Sequence, residues 1–199
     1  ILSSISNSKS ELRDYQSFSS GKSNYFDEIV SRVFERYEEM LFQNGAVDFD
    51  DLLLKTHLLL DKNQEIAQIY QHKFEHLMVD EFQDTNVAQY AIAKKISEVS
   101  RNLCVVGDPD QSIYSWRNAD IRNILSFQTD FPEAITVALE ENYRSTQNIL
   151  NAAQNVIEKN KERVDKDLWT RNKQGGLIVI KENYNEEEEA QSVVKEIEK

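Results

Sequence analysis

The chain has 199 residues, 40% hydrophobic and 29% charged, so it can bury one large core or two small ones and is not disordered throughout. It shows no secretory signal and no apolar run of the roughly 18 residues that cross a bilayer as a helix. The net charge of −12 argues against a nucleic-acid partner on its own. The acid is concentrated around Asp80–Glu81 and in Glu186–Glu189, however, which leaves room for a local basic or aromatic groove.

Residues 1–23 hold nine serines among scattered apolar side chains and read as a loose helical or partly disordered lead-in. From Tyr25, the residues Phe26, Ile29, Val30, Val33, Phe34, Tyr37, Met40 and Leu41 recur at three-and-four spacing, which predicts an amphipathic helix. Asn44-Gly45 ends it, and Asp48 is placed to cap a second helix through DDLLLKTHLLL. Strand and helix then alternate. HLMV (76–79) is a strand, NVAQYAIAKKISEV a helix with Ile92, Ile96 and Val99 on its apolar face, and LCVVG (103–107) a second strand. ADIRNILSFQ is a helix, ITVAL (135–139) a third strand, and a helix capped at Ser145-Thr146 follows. After a polar connector (160–176), LIVIK (177–181) is a fourth strand, and EEEEAQSVVKEIEK is a helix whose acidic first turn suits its dipole. Such alternation predicts a parallel sheet covered by helices on both faces.

Cys104 stands alone and reads as a small buried hydrophobe in a reducing compartment. His57, His72 and His76 lack metal-ligand spacing. The chain starts at Ile1 and stops at Lys199 inside a helical pattern, and is expected to be an internal piece of a longer polypeptide.

Three stretches carry chemistry. VDEFQDT (79–85) puts Asp80 and Glu81 at a strand's carboxyl end, where parallel sheets bind ligands. Hard carboxylate oxygens suit Mg²⁺, one holding the metal's water while its neighbour orients and deprotonates an attacking water. The plainer alternative is an acidic strand end that caps the next helix through Asp84 or Thr85. In LCVVGDPDQSIYSWR, Asp108, Asp110 and Gln111 end the second strand at the same edge. Gln111 can bond a phosphate oxygen without repelling it. Tyr114, Trp116 and Arg117 suit stacking against bases, or are ordinary core aromatics. In LEENYRST, Arg144 can neutralise charge on a phosphoryl group, or is a surface arginine paired with Glu140 or Glu141.

Together, VDEFQDTN, VVGDPDQSIYSWRNAD and LEENYRST resemble motifs II (Walker B), III and IV of the UvrD/Rep/PcrA family of superfamily 1 DNA helicases. VDFDDLL and DLWTRN are similar to further family segments. The resemblance implies an α/β fold, a parallel sheet flanked by helices as a partial RecA-like P-loop NTPase core, preceded by a helical subdomain. It implies residues 1–45 as part of a 1B-like insertion, 46–140 as the second half of RecA-like domain 1A, and 141–199 as the start of domain 2A. ATP and Mg²⁺ are the implied cofactors, with Asp80 and Glu81 at the metal and Glu81 as general base. Gln111 would sense the γ-phosphate, Arg144 would be an arginine finger, Tyr143 would stack on adenine, and Gln83 would contact the nucleotide site and couple it to DNA. Tyr114, Trp116 and Arg117 would lie on the single-strand track. Asn118 stands where many relatives carry Gly, a tolerable change because Asn accepts left-handed geometry.

The implied partners are single-stranded DNA and duplex junctions, in a cytoplasmic, nucleoid-associated setting of bacterial type. Gly21-Lys22-Ser23 is no P-loop, because the pattern G-x-x-x-x-G-K-[ST] needs Gly at position 16, which is Gln. The phosphate-binding lysine is therefore expected in the rest of the helicase chain. A helicase–nuclease subunit of the AddA/RecB type and a catalytically inactive DNA-binding module remain the alternatives.

Overall fold

The computed structural model describes residues 1–21, 24–161, 163–164 and 166–199. Lys22 and Ser23 of the Gly-Lys-Ser triplet lie outside them. The chain forms two compact units, Ile1–Ile135 with Glu162–Val164, and Thr136–Lys161 with Asp165–Lys199.

The first unit opens with α1 (Leu2–Ser10) and α2 (Tyr15–Ser20). The serine-rich lead-in is packed rather than loose. Ile5 of α1 is buried with Val30 and Phe34 of α3 (Tyr25–Gln43), and Tyr15, Phe18 and Tyr37 close the cluster. Asn44 is the C-cap of α3, and Gly45 adopts the left-handed φ of 58° that ends the helix. Asp48 caps α4 (Phe49–Lys62) in a reciprocal capping box with Asp51. The sequence reading missed α5 (Gln64–Lys73), whose buried Gln71 donates from Nε2 to the Lys95 carbonyl at 2.9 Å.

Strands β1 (Leu77–Val79) and β2 (Leu103–Val105) pair in parallel, with Met78 opposite Cys104. Val79, Leu103 and Val105 pack on a buried cluster of Phe82, Tyr90 and Phe131. The T-shaped Phe82–Tyr90 and Phe82–Phe127 pairs, with centroids at 5.2 and 5.6 Å, tie it together. The opposite face of the sheet is open. Met78 is 74% exposed, and Cys104 is exposed rather than buried, because strand alternation turns both away from the aromatic cluster. Among the described residues the sheet is therefore covered on one face, not two.

Helix α6 (Val87–Ile96) buries Ala88, Tyr90 and Ala93, and Ser97 follows on that side. The expected Ile92–Ile96–Val99 face is half-buried to exposed. Tyr90 won the inward position because its ring completes the aromatic cluster and its hydroxyl donates to Asp130 at 2.8 Å. The expected helix over ADIRNILSFQ is two short ones, α7 (Arg122–Leu125) and α8 (Phe127–Asp130), broken at Ser126.

In the second unit, α9 (Gln147–Ile157) is amphipathic and buries Leu150, and α10 (Glu186–Ile197) is capped by Asn185. Thr146 is the N-cap of α9 but makes no side-chain cap bond. ITVAL and LIVIK are not strands. Neither has a ladder partner among the described residues, and Ile135, Leu139 and Ile180 are 90%, 80% and 95% exposed. High strand propensity leaves backbone groups to water where no neighbour accepts them. Trp169 instead forms a single bridge with Glu141.

Candidate functional site

Parallel pairing brings both strand ends to one edge of the sheet. The ladder continues past the strands, with Val106 N–H donating to the Val79 carbonyl at 2.8 Å and Phe82 N–H to the Val106 carbonyl at 2.9 Å. This holds Asp80–Glu81 beside Gly107–Asp108. Asp80 and Glu81 are both exposed. Asp80 Oδ1 accepts from the Glu81 N–H at 2.9 Å. Glu81 sits at φ 50°, ψ 41°, left-handed geometry that is costly for a residue with a Cβ and turns the chain sharply into the 3-10 turn Phe82–Asp84.

Gln83 is 1% exposed and bridges the two strand ends. Its Nε2 donates to Glu81 Oε2 at 2.8 Å, and its Oε1 accepts from the Asp108 N–H at 3.0 Å. Asp108 Oδ2 in turn accepts from Gln111 Nε2 at 2.9 Å. A line of hydrogen bonds thus runs Glu81–Gln83–Asp108–Gln111 along the edge. Gly107 makes room for it, since a Cβ there would lie 2.6 Å from Gln83 Oε1 and 2.9 Å from Ile124 Cδ1. The Asp84 carboxyl is raised above the usual carboxylate range, by burial first and then by the negative Glu81. Neither Asp84 nor Thr85 caps α6. Asn86 does, in a capping box with Gln89, which leaves the strand-end carboxylates without that structural duty.

Trp116 is 70% exposed and Tyr114 is exposed at 38%, so neither is a core aromatic. Arg117 lies over the Trp116 ring at 4.5 Å and over Tyr114 at 5.5 Å, forming a cation–aromatic stack open to solvent. Asn118 ends this turn at φ 65°, the left-handed geometry expected of it.

In the second unit, Asn142 Oδ1 accepts from the N–H groups of Arg144 and Ser145, at 3.0 and 2.8 Å. Asn172 Nδ2 donates to the carbonyls of Tyr143 and Ser145, both at 3.1 Å. The DLWTRN segment thereby pins the ENYRST turn, a link that needed the tertiary structure to be seen. Tyr143 is 78% exposed, and its hydroxyl donates to Glu141 at 3.0 Å. Glu141 also pairs with Arg171 at 3.0 Å. The exposed Arg144 guanidinium has no ion-pair partner among the described residues, so the paired-surface alternative does not hold.

Residues 1–132 match the UvrD/REP helicase N-terminal domain, and residues 137–199 the UvrD-like helicase C-terminal domain. The chain belongs to the UvrD/Rep helicase family. The two family segments meet between residues 132 and 137, where the two compact units also divide. The chain is 49% identical over 197 residues to the ATP-dependent DNA helicase PcrA of Staphylococcus epidermidis. It is 48% identical to the proteins of that name from Bacillus subtilis (strain 168) and Staphylococcus aureus. Each match covers 99% of this chain and 27% of the relative's length.

A second acidic group of this family member escaped the sequence reading. Glu38, Asp48 and Asp51 lie close enough together to suggest a cation site. Lys9 already fills it, fully buried, with its Nζ 2.6, 2.8 and 2.9 Å from the three carboxylates. Burial alone would lower the Lys9 pKa, but hydrogen bonds to Asp48, Glu38 and Asp51 outweigh it and hold the amine above its usual range. The one hint in the sequence is that Lys9 sits four residues after the apolar Ile5, on the same helix face.

Proposed function

We propose that the chain is part of an ATP-dependent DNA helicase that couples Mg-ATP hydrolysis to 3′-to-5′ movement on single-stranded DNA. The observation that carries this reading is the hydrogen-bonded line Glu81–Gln83–Asp108–Gln111 along one sheet edge. On this reading the two parallel strands belong to a RecA-like core. Residues 1–45 are part of a 1B-like insertion, 46–140 the second half of domain 1A, and 141–199 the start of domain 2A.

The donor set fits a hard cation, since Asp80 and Glu81 are exposed carboxylates at the edge where parallel sheets bind ligands. Bound Mg²⁺ would neutralise charge on the nucleotide's phosphate oxygens. Asp80 holds the metal side of the site. Glu81, kept in one orientation by Gln83, takes the proton of the attacking water. Gln111 bonds the γ-phosphate, and its tie to Asp108 reports that contact to Gln83 and Glu81. Arg144 acts as arginine finger, consistent with an exposed guanidinium that has no ion-pair partner among the described residues. Tyr143 stacks on adenine with an exposed ring. Tyr114, Trp116 and Arg117 receive bases of single-stranded DNA. The chain has no G-x-x-x-x-G-K-[ST] sequence, and the phosphate-cradling lysine is supplied by another part of the helicase.

Steady-state turnover of Mg-ATP, with and without single-stranded DNA, tests the assignment. In the helicase, Glu81→Gln keeps nucleotide binding and loses roughly 10²- to 10⁴-fold in rate, the usual worth of a general base. Near-normal turnover in that variant would remove Glu81 from the mechanism. The 199-residue chain alone is expected to be inert. Turnover by it that vanishes with Glu81→Gln would mean that the phosphate site is complete within these residues.

A further inference from the structure

The turn that carries Trp116 and Arg117 has two anchors at its downstream end. Downstream, the Asp120 N–H donates to the Thr85 carbonyl at 2.9 Å, which joins it to the loop after β1. At its end, Asn118 Nδ2 donates to Ser10 Oγ at 3.1 Å, across 108 residues of sequence. Ser10 is 5% exposed and is the last residue of α1. Its neighbour Lys9 is locked by three carboxylates from α3, its sequel and α4. Helix α1 therefore cannot slide without pulling a buried ammonium off its partners, a displacement that buried ion networks resist. The backbone of Asn118 supplies the left-handed end of the turn, and its side chain fastens that end to the rigid helix.

We propose that Asn118 is a positioning residue, which through Ser10 ties the Trp116–Arg117 stack to the Lys9 anchor of α1 and holds the Trp116 ring ready for a base of single-stranded DNA. The inference rests on the DNA role of Trp116 proposed above and adds what fixes the ring. A 3-10 turn with an exposed indole has little packing of its own. A base stack worth most when preorganised thus depends on the tether.

The test uses this 199-residue chain with Trp169→Phe, in which Trp116 is the sole indole. Asn118→Gly keeps the left-handed backbone and removes the donor. Ser10→Ala removes the acceptor. Each is expected to lower the fluorescence anisotropy of Trp116 and to weaken binding of an oligothymidylate roughly 2- to 10-fold, the range of one hydrogen bond. The double variant should be no worse than either single one. Unchanged Trp116 anisotropy in both variants overturns the inference, whatever happens to thermal stability. So does full additivity, because the two side chains would then act separately. Unchanged DNA affinity overturns it too, if Trp116→Ala does weaken binding, and the proposed function then stands. If Trp116→Ala leaves affinity unchanged, the DNA role of the turn and this inference fall together.

Discussion

Around the buried Lys9 ammonium, three carboxylates of the first unit converge, and Lys55 adds a second cation at Asp51. At the end of β1, the carboxylates of Asp80 and Glu81 face solvent, and the side chain that Glu81 meets is the amide of Gln83. In the first cluster every charge has a partner within 3 Å, and Asp51 is fully buried. In the second, Asp80 and Glu81 are exposed, and the buried neighbour is the neutral Gln83. A lysine cancels the field of the acids and ends their capacity to hold a cation. An amide orients an acid without discharging it. Two groups that look alike in composition thus divide into one neutralised within the fold and one left open to solvent, which on the proposed reading holds the metal, and the partner makes the difference.

Substitutions in either cluster test that contrast. The largest effect is expected from Lys9→Met. It strips the buried Asp51 of its buried counter-ion and leaves it only the half-exposed Lys55, at 2.8 Å, and breaking a buried pair costs about 3–5 kcal/mol. Urea denaturation reads it directly. A loss under about 1 kcal/mol would class the cluster with exposed ion pairs and erase the contrast.

Gly107→Ala probes the other side. The new methyl meets Gln83 and Ile124, and overpacking of this kind costs about 1–3 kcal/mol. Gln83 must then give up Asp108 or Glu81. Turnover of the helicase should fall together with stability. Unaltered turnover in a destabilised variant would show that Gln83 orients nothing.

The smallest effect is the pH dependence. Burial would raise the Asp48 carboxyl, but its bonds to Lys9 and to the Asp51 N–H win and hold it below the usual range. With a depressed folded value, its stabilisation is full above the unfolded value near about 3.9 and is lost as pH falls through the folded one. Lys9 is raised, so its contribution is full below about 10.4 and is lost as pH rises through the folded value. The cage therefore predicts a stability plateau between about pH 4 and 10, and Lys9→Met should remove the alkaline decline. Asp84 at the strand ends has the opposite sign to Asp48. Its raised value stabilises below the ordinary carboxylate range, and that contribution fades as pH rises through it. Denaturation midpoints across the pH range separate the two clusters.

Much of the local structure was legible in the sequence. Asn44-Gly45 and Asp48 act on the backbone within three residues of themselves, so their types sufficed to mark helix ends. The placement of Asp80, Glu81 and Gln111 at one edge followed from two strands running the same way. ITVAL and LIVIK misled, because strand propensity says nothing about whether a neighbour is there to pair. Cys104 misled for a related reason, since alternation names two faces without saying which one is covered.

The helix caps, the two short parallel strands, the acids and amide that end them, and the family can all be read from contiguous residues. Only the tertiary structure decided which charges matter for what. It brought Lys9 to acids about 30 and 40 residues away, set Gln83 between two strand ends, and fastened Asn118 to Ser10. Burial and pairing are properties of residues distant in the chain, and they alone separate a carboxylate neutralised in the interior from one left open to solvent.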